Sequence, residues 1–462
     1  MKREFVASSE LDAPLEALFR WHCRPESFER LLPPWRRVEV TARTGGVESG
    51  SRLELCMWVG PVPIRWVAEH REFVRGVQFK DVQIRGPFAH WEHTHSFRAE
   101  PGGRSLLEDR VEYELPLGAL GERLLGRRIR EELKRLFEWR HRVTIQDLRL
   151  FGRVASDKAM KIAVSGSTGL LGEALVSFLT AGGHKVVRLR RKSSKESSPS
   201  SDDLSWDPSS SRIESDGLEG LDAVVHLAGE NIATRRWSSA QKRKIKESRE
   251  RGSRLLSETL ANLKRPPKVL VSASAIGFYG DRGEEWLTEE SGRGGGFLAE
   301  VCEEWEKATD PARQRGLRVV NLRLGMILSA RGGALRKMLT PFKLGLGGVI
   351  GGGRQWMSWI SLDDAVGVVH HVLNDARITG PVNAVSPSPV TNAQFTRALG
   401  KVLRRPTILP MPALAARMVL GEMANELLLS SQRVRPARLE QRAYPFIHTD
   451  LESALRHLLG LH

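Results

Sequence analysis

Hydrophobic and polar positions alternate in short runs along residues 1–150, which is the pattern of strands with one buried face. An opening strand (REFVASSEL) and a helical stretch (PLEALFRWHCRPESFERLL) precede six strand-like runs: RVEVTART, SRLELCMWV, IRWVAEHREF, QFKDVQIRG, HWEHTHSFRAE and SLLEDRVEYEL. Residues 119–148 then carry apolar side chains about one helical turn apart, at Leu120, Leu124, Ile129, Leu133 and Phe137. The pattern predicts an α+β domain in which one long helix lies over a curved antiparallel sheet and encloses an apolar cavity.

The pattern changes at Met160, where strand-like and helical runs begin to alternate. The strand-like runs are continuous and apolar: KIAVSG, HKVVRLRR, DAVVHLAG, KVLVSASA and LRVVNLRLG. Such strands are buried on both faces, so the alternation predicts an α/β fold, a Rossmann-type doubly wound parallel sheet. The polar stretch 192–205 predicts an exposed loop after the second strand. We therefore divide the chain into four parts: a first domain (1–150), a linker (151–159), a nucleotide-binding domain (160–405) and a C-terminal helical segment (406–462).

Length and composition are those of a soluble protein with more than one core. The chain has 462 residues, of which 40% are hydrophobic and 27% charged. Its first residues lack the apolar core of a signal peptide, and it has no apolar run of about 18 residues, so we expect no membrane span and a cytoplasmic location. Cys23, Cys56 and Cys302 form no CxxC pair, which argues against a structural zinc site or a disulfide framework.

The net charge of +16 raises the question of nucleic-acid binding. Residues 1–150 hold 26 basic and 23 acidic residues, so most of the excess lies later and is densest at 235–254. A basic helix there could contact phosphates. A solvated helix face with pairs such as Lys246–Glu250 explains the same residues more simply, and we expect that arrangement rather than nucleic-acid binding.

A glycine-rich turn, SGSTGLLG, directly follows the apolar run MKIAV. Its three glycines have separate physical roles: Gly166 permits the tight turn, Gly169 lets the backbone approach a pyrophosphate, and Gly172 lets the helix pack closely on the strand. The helix that begins near Leu170 would offer free N–H groups and a partial positive charge to the phosphates. This strand–turn–helix context predicts a dinucleotide-binding loop.

The end of the second strand, HKVVRLRRK, indicates which dinucleotide binds. An acidic residue at this position accepts the ribose 2′-hydroxyl of NAD, whereas arginine accommodates the 2′-phosphate of NADP. Arg190 and Arg191 lie where that phosphate would be, and no carboxylate follows until Glu196. We expect NADP(H) rather than NAD(H); the alternative is that both arginines merely border a solvent-exposed loop.

Residues 1–150 resemble the START/SRPBCC superfamily of helix-grip domains, in the order of their elements and in segments such as GPFAHWEHTHSF. The resemblance implies that a hydrophobic small molecule binds in a central cavity. Alternation of side chains along HWEHTHSF puts Trp91, His93, His95 and Phe97 on one face of the predicted strand. Two imidazoles are too few for a metal site without help from elsewhere, so we expect a structural or cavity-lining role for His93 and His95, and no bound metal.

From residue 160 onward, the chain resembles the epimerase-like subgroup of extended short-chain dehydrogenases/reductases, which is related to nucleoside-diphosphate-sugar epimerases. The segments that carry the resemblance are SGSTGLLG, DAVVHLAGENI, VSASAIGFYGD, GFLAEVCEEWE, NLRLGMILS, GGRQWMSWISLDDA and LGEMANELLLSSQRVRPARLEQRAYPF. The resemblance implies that the cofactor is contacted by Gly166, Ser167, Thr168, Gly169, Leu170, Gly172, Leu227, Ala228, Gly229 and Ser272. It also implies a catalytic role for Ser274 and a substrate-side segment that contains Trp359, Ile360 and Asp363.

The chain departs from that superfamily at its central chemistry. The family's Tyr-x-x-x-Lys pair, in which the Tyr is the general acid/base, is absent, because none of the three tyrosines has a Lys four residues later. Phe297 and Val301 occupy the corresponding positions. Tyr279 is a possible substitute, although a structural role fits it better. The other polar candidates are Glu230 and the Trp305–Glu306 pair.

Three hypotheses about function follow. The first is an NADP(H)-dependent oxidoreductase of unknown substrate, in which Ser274, Tyr279, water or the substrate itself supplies the proton route. The second is a non-catalytic protein that senses NADPH and an apolar ligand, which the missing Tyr and Lys favour. The third and weaker hypothesis is a sugar-nucleotide epimerase, because epimerases of this fold ordinarily use the same Tyr and Lys.

Overall fold

The computed structural model describes residues 2–153, 159–191, 203–233 and 235–461. Contacts group these residues into two compact units. The first consists of the chain up to residue 153 with 180–183 and 459–461, and the second of the other described residues. Within the described ranges, no helix combines the length and apolar character needed to cross a membrane.

The first unit is a seven-stranded antiparallel sheet with a long helix. In chain order its elements are β1 (Arg3–Leu11), α1 (Leu15–Cys23), α2 (Ser27–Arg30), β2 (Val38–Thr44), β3 (Arg52–Val59), β4 (Val62–Val74), β5 (Gln78–Arg85), β6 (His90–Glu100), β7 (Arg104–Glu114) and α3 (Gly118–Gly152). The sheet order is β1-β7-β6-β5-β4-β3-β2. Strands β2 to β7 follow one another as a meander, and β1 is the edge strand next to β7. The expected helix-grip architecture is confirmed.

The apolar stripe of α3 is shorter than the sequence predicts. Leu133 and Phe137 are buried and pack with Phe5 of β1. Leu120 and Leu124, which have the same spacing, are 56% and 68% exposed. The stripe was therefore predicted too long, because the packed part of the helix begins only near Ile129.

The second unit is built on an eight-stranded sheet. Its first half contains β8 (Lys161–Ser165), α4 (Leu170–Ala181), β9 (Lys185–Arg190), β10 (Asp203–Asp207), β11 (Arg212–Ile213), β12 (Ala223–His226), α5 (Ser239–Asn262) and β13 (Val269–Ala275). Its second half contains β14 (Trp286–Leu287), α6 (Phe297–Lys307), α7 (Asp310–Gln314), β15 (Arg318–Leu324), β16 (Met326–Leu328), α8 (Gly333–Lys343), β17 (Trp356–Met357), β18 (Trp359–Ser361), α9 (Leu362–Asn374), β19 (Gly380–Ala384), β20 (Val390–Thr391), α10 (Asn392–Leu403), α11 (Ala413–Leu420), α12 (Glu422–Ala424), β21 (Arg433–Val434), α13 (Ala437–Gln441) and α14 (Leu451–Leu459).

The strand order of this sheet is β11-β10-β9-β8-β12-β13-β15-β19. All pairings are parallel except that of the edge strand β11 with β10. The chain moves outward from β8 in one direction and then resumes on its other side with β12, which places a topological switch point between these two strands. The expected doubly wound Rossmann-type sheet is confirmed.

One predicted loop is partly wrong. Residues 203–205 were included in an exposed loop, but they begin β10 and pair with Arg188–Arg190 of β9. The strand is only five residues long and follows a polar, serine-rich run, so its hydrophobic pattern was too short to stand out. Residues 192–202 of that loop, and 154–158 of the predicted linker, lie outside the described residues.

The basic stretch 235–254 lies mostly in α5, whose first turn is capped by Ser238. The helix buries Ile245 and Leu256 toward the core. Two of its basic residues form ion pairs: Lys242 pairs with Glu422 at 2.8 Å, and Arg251 pairs with Glu247 one turn earlier at 3.5 Å. These contacts are those of a packed helix with a solvated face, which is the arrangement expected above.

Candidate cofactor site

Four adjacent strands of the second unit bring the predicted cofactor residues to one edge of the sheet. The glycine-rich loop follows β8, Leu227–Gly229 follow β12, Ser272 lies in β13, and Arg190 ends β9. Because β9, β8, β12 and β13 are neighbours and parallel, their carboxyl ends share one edge. This edge contains the switch point, which is where ligands bind in open α/β sheets.

The backbone of the loop leaves no room for side chains at two of its glycines. Gly166 has a φ of +68°, and a Cβ there would lie 2.8 Å from the backbone nitrogen of Ala228. A Cβ on Gly172 would lie 2.1 Å from the carbonyl oxygen of Gly166. Glycine at these positions therefore lets the loop approach β12 and lets α4 begin close against β8.

Ser167 provides an independent test of whether this loop fits a phosphate group. Its side chain is only 6% exposed, and its Oγ is buried without a hydrogen-bond partner among the described residues. A buried hydroxyl without a partner is costly and is commonly satisfied by a ligand or by water. Together with the N-terminal turn of α4, which begins at Leu170, this hydroxyl makes the loop suitable for a dinucleotide pyrophosphate.

A buried histidine beneath the loop was missed by the sequence analysis. His226 is 1% exposed, and its Nδ1 lies 2.6 Å from the Oγ of Ser165. The same Oγ accepts a hydrogen bond from the backbone nitrogen of Leu227. Burial lowers the pKa of the His226 imidazole to about 4, so it is neutral at pH 7. Ser165 and His226 thus join the ends of β8 and β12 directly below the candidate site.

The two arginines at the end of β9 differ in their surroundings. Arg190 is partly buried and its Nη1 lies 3.2 Å from Oδ2 of Asp203, at the start of β10. Arg191 follows the last residue of β9 and is exposed. Asp203 is the first residue of β10 and pairs in register with Arg188, two residues before the end of β9. Its backbone therefore does not lie at the carboxyl ends of the strands.

Ser274 and Tyr279, the candidate catalytic residues, belong to one buried hydrogen-bond network. Ser274 Oγ donates to Oε1 of Glu306 at 2.7 Å, and Arg323 binds both oxygens of that carboxylate at 2.8 and 2.9 Å. Arg323 also donates to the hydroxyl of Tyr279 at 3.0 Å, and that hydroxyl donates to Asn383 at 2.7 Å. The network connects β13, α6, β15 and β19.

Both candidate side chains are buried within this network. Ser274 is 1% exposed and Tyr279 is fully buried. Burial raises the pKa of Tyr279, although Arg323 opposes the shift. The tyrosine hydroxyl already has one donor and one acceptor, as expected for the structural role favoured from the sequence.

The positions that correspond to the missing Tyr and Lys lie on α6. Phe297 begins this helix and packs against Trp237, with ring centroids 5.2 Å apart, and Val301 is buried one turn later. Neither side chain can transfer a proton. Trp305, also considered above, is buried, and the guanidinium of Arg249 lies 4.9 Å from its ring centroid. Glu230 follows Gly229 and is half-buried.

The predicted substrate-side segment is an interior element. Trp359 and Ile360 are fully buried in β18, and Trp359 Nε1 donates to the carbonyl oxygen of Ser388. Asp363 is also buried and lies 3.2 Å from Nε2 of His457. These three residues pack the unit together, and their burial does not fit the expectation that they shape a substrate surface.

The first unit contains a cavity of about 260 Å³ between its sheet and α3. Its lining is mainly apolar and includes Leu53, Leu55, Ala68, Phe79, Leu133 and Phe137. One wall is polar and carries His93 and His95. Both residues are buried on the same face of β6, as predicted from the alternation along this strand. Burial lowers the pKa of His93 to about 4. Burial opposes protonation of His95 as well, but the Asp109 carboxylate raises its pKa to about 9.

Comparison with known sequences identifies three regions. Residues 162–384 match the NAD dependent epimerase/dehydratase family, and residues 11–138 match the family described as polyketide cyclase/dehydrase and lipid transport. Residues 411–458 match a domain of unknown function, DUF1731, in the segment where the sequence resembled a subgroup-specific C-terminal domain.

Individual relatives agree with these matches. The chain is 43% identical over 294 residues to the epimerase family protein Mb2239 of Mycobacterium bovis, covering 64% of this chain and 96% of that protein. A crystal structure of a nucleoside-diphosphate sugar epimerase from Corynebacterium glutamicum shares 35% identity, with a TM-score of 0.80 over 99% of this chain and 90% of that one. The human epimerase family protein SDR39U1, solved with NADPH, shares 33% identity, with a TM-score of 0.59 over 65% of this chain and 99% of that one. The strand-end site and these matches show that the chain belongs to the NAD dependent epimerase/dehydratase family, with a polyketide-cyclase-like domain at its N-terminal end.

Proposed function

We propose that the second unit binds NADP(H) at the carboxyl ends of β9, β8, β12 and β13. The observation that carries this proposal is the loop after β8, where glycine is required at Gly166 and Gly172 and the Ser167 hydroxyl is buried without a partner. A dinucleotide pyrophosphate would supply the acceptor that this hydroxyl and the first N–H groups of α4 lack. The human relative that was solved with NADPH supports the same assignment.

Each predicted residue then has a role toward the cofactor. The backbone of Gly166, Thr168 and Gly169 and the Ser167 hydroxyl bind the pyrophosphate, and Leu227–Gly229 lie along the adenosine and its ribose. Arg190 and Arg191 bind the 2′-phosphate, Arg191 from an exposed position and Arg190 after partial release from Asp203. When bound, the nicotinamide supplies hydride transfer.

Calorimetric titration of the full chain with NADPH and NADH tests this function. Wild type is expected to bind NADPH at least about tenfold more tightly than NADH, since a 2′-phosphate gains charge-assisted hydrogen bonds from arginine. Arg191→Glu and Arg190→Glu are expected to reduce NADPH affinity with little effect on NADH. Arg212→Glu, on β11, is a matched control for the change of charge. Equal affinity of wild type for both cofactors would contradict the preference for NADP(H).

The first unit is proposed to bind an apolar small molecule. Its cavity is lined mainly by apolar side chains, and the match to polyketide cyclase/dehydrase and lipid transport proteins supports a ligand of this class. The polar wall of the cavity would orient an oxygen atom of such a ligand.

Hydride transfer to a carbonyl compound, or from the corresponding alcohol in the reverse direction, is a second candidate function. It is favoured by the hydrogen bond from Ser274 to Glu306, because a hydroxyl joined to a carboxylate is a proton route near the end of β13. NADPH oxidation by a panel of apolar carbonyl compounds tests it, with Ser274→Ala as the diagnostic variant. Oxidation that is lost in Ser274→Ala supports this route, whereas tight NADPH binding without oxidation supports a sensor.

A further inference from the structure

The polar wall of the first unit's cavity contains three side chains that converge on one point. His93 and His95 lie on β6, and Asp81 lies opposite His93 on the neighbouring strand β5. One ligand atom from each residue lies within 4.8 Å of the other two, and all three residues line the cavity. The alternation along β6 predicts only the two imidazoles, because the third residue comes from a different strand.

The separations between these atoms suit a metal ion. Oδ2 of Asp81 lies 3.4 Å from Nε2 of His95 and 3.7 Å from Nδ1 of His93. Two ligands that each lie about 2.0–2.1 Å from an ion, at a tetrahedral angle, are about 3.3 Å apart. Both separations from Asp81 therefore lie within a few tenths of an ångström of this value.

The opposite nitrogens of both imidazoles lie close to a second carboxylate, which forms a hydrogen bond with His93. Asp109 Oδ1 lies 2.9 Å from Nε2 of His93 and 2.6 Å from Nδ1 of His95. Its other oxygen lies 2.6 Å from Nε2 of His141. Metal-binding histidines almost always have such a partner, which fixes the orientation of the ring and directs the free nitrogen toward the ion.

Asp81 lies between three imidazoles. Its Oδ1 lies 2.5 Å from Nδ1 of His70, and its Oδ2 is the oxygen closer to His93 and His95. A structural role in which imidazoles only neutralise the buried Asp109 would require the nitrogens that face Asp109. The remaining nitrogens of His93 and His95 face the Asp81 carboxylate at the cavity surface, where a metal ion would take the place of a proton shared between these groups.

We propose that Asp81, His93 and His95 bind one divalent transition-metal ion, such as Zn²⁺, in the cavity of the first unit. Three protein ligands leave at least one coordination position open toward the cavity. An apolar molecule with a carbonyl or carboxylate oxygen would bind there, its apolar body against the remaining walls. This site is separate from the cofactor site of the second unit.

Metal titration of the full chain tests the proposal. The protein is prepared without a polyhistidine tag, treated with a chelator and titrated calorimetrically with Zn²⁺, and Co²⁺ is used as a spectroscopic probe through its visible absorption. Wild type is expected to bind one ion per chain. Asp81→Asn keeps the shape of the side chain and the contacts of Asp109, and is expected to weaken Zn²⁺ binding by more than about tenfold because it removes a charged ligand. His90→Ala, on the other face of β6, is the matched control and is expected to bind as wild type does.

Asp109→Asn distinguishes the supporting carboxylate from the ligands. It is expected to weaken Zn²⁺ binding by about 10–100-fold while one ion per chain still binds. His95→Gln is expected to alter the Co²⁺ spectrum, because one nitrogen ligand is lost. Circular dichroism of each variant shows whether the sheet is intact. Absence of stoichiometric binding by folded wild type, or equal affinity of wild type and folded Asp81→Asn, would overturn the proposal.

Discussion

Ser274 donates a hydrogen bond of 2.7 Å to Glu306. Both oxygens of that carboxylate also accept hydrogen bonds from Arg323, so the candidate catalytic hydroxyl belongs to a buried ion-pair network. Arg323 is 4% exposed and the Glu306 side chain 14%, which makes this a largely buried ion pair. The pair stands where β13, α6 and β15 meet.

Replacing Glu306 is expected to destabilise the second unit. Glu306→Gln leaves the Arg323 guanidinium buried without its counter-charge, which costs on the order of 3 kcal/mol in comparable buried pairs. Urea unfolding followed by circular dichroism measures the loss. Glu303→Gln, on the same helix but paired with Lys307 in a more exposed place, is expected to change the stability far less. Similar losses in both variants would show that the buried network contributes little.

Replacing Gly172 is expected to disrupt cofactor binding. In Gly172→Ala the new Cβ would lie 2.1 Å from the Gly166 carbonyl oxygen, so the loop must move away from α4. We expect the affinity for NADPH to fall by at least about tenfold, equivalent to about 1.4 kcal/mol, in a calorimetric titration. Gly292→Ala is the control, because a Cβ there meets no atom within 4 Å. Unchanged affinity in Gly172→Ala would argue that the pyrophosphate binds elsewhere.

Filling the cavity of the first unit is expected to reduce binding of apolar molecules. Ala68 of β4 is buried and lines the cavity, so Ala68→Phe places a ring in the space that a ligand would occupy. Fluorescence titration with an anilinonaphthalene sulfonate probe should show at least about tenfold weaker binding, because the apolar contact area is lost. Ala99→Phe, at an exposed position of β6, should bind the probe as wild type does. Equal binding by both variants would place the apolar site outside the cavity.

Acid is expected to destabilise the second unit partly through His226. Its pKa is lowered by burial from 6.5 to about 4, so the unfolded chain takes up a proton that the folded chain excludes. The resulting stability is fully present above about pH 6.5 and is lost as the pH falls toward about 4, with a total on the order of 3 kcal/mol.

Thermal unfolding of wild type and His226→Asn across this range measures the effect. The difference in midpoint should change in favour of the variant as the pH falls, since asparagine does not titrate. If the difference between the unfolding midpoints of wild type and His226→Asn does not change with pH, His226 is not held neutral by burial in the folded protein.

Much of the architecture could be predicted from periodicity. The run HWEHTHSFRAE was predicted as a strand and coincides with β6, in which His93, His95 and Phe97 are buried and alternate with half-buried positions. The helix predicted over 119–148 is α3, which begins one residue earlier, at Gly118, and ends four residues later, at Gly152. The five-residue strand β10 was missed, since so short a run after a serine-rich stretch carries little periodic signal. The cytoplasmic location and the domain boundaries stay predictions.

The sequence by itself determined the two kinds of sheet, the glycine-rich loop and the absence of Tyr-x-x-x-Lys. These features depend on residues that are near one another in the chain, and local sterics and periodicity suffice to read them. Only the tertiary structure decided which distant side chains meet. It brought Asp203 to Arg190, Glu306 and Arg323 to Ser274, and Asp81 and Asp109 to the two imidazoles of β6. Strand order and register set these contacts, and neither is encoded in the spacing of residues along a single strand.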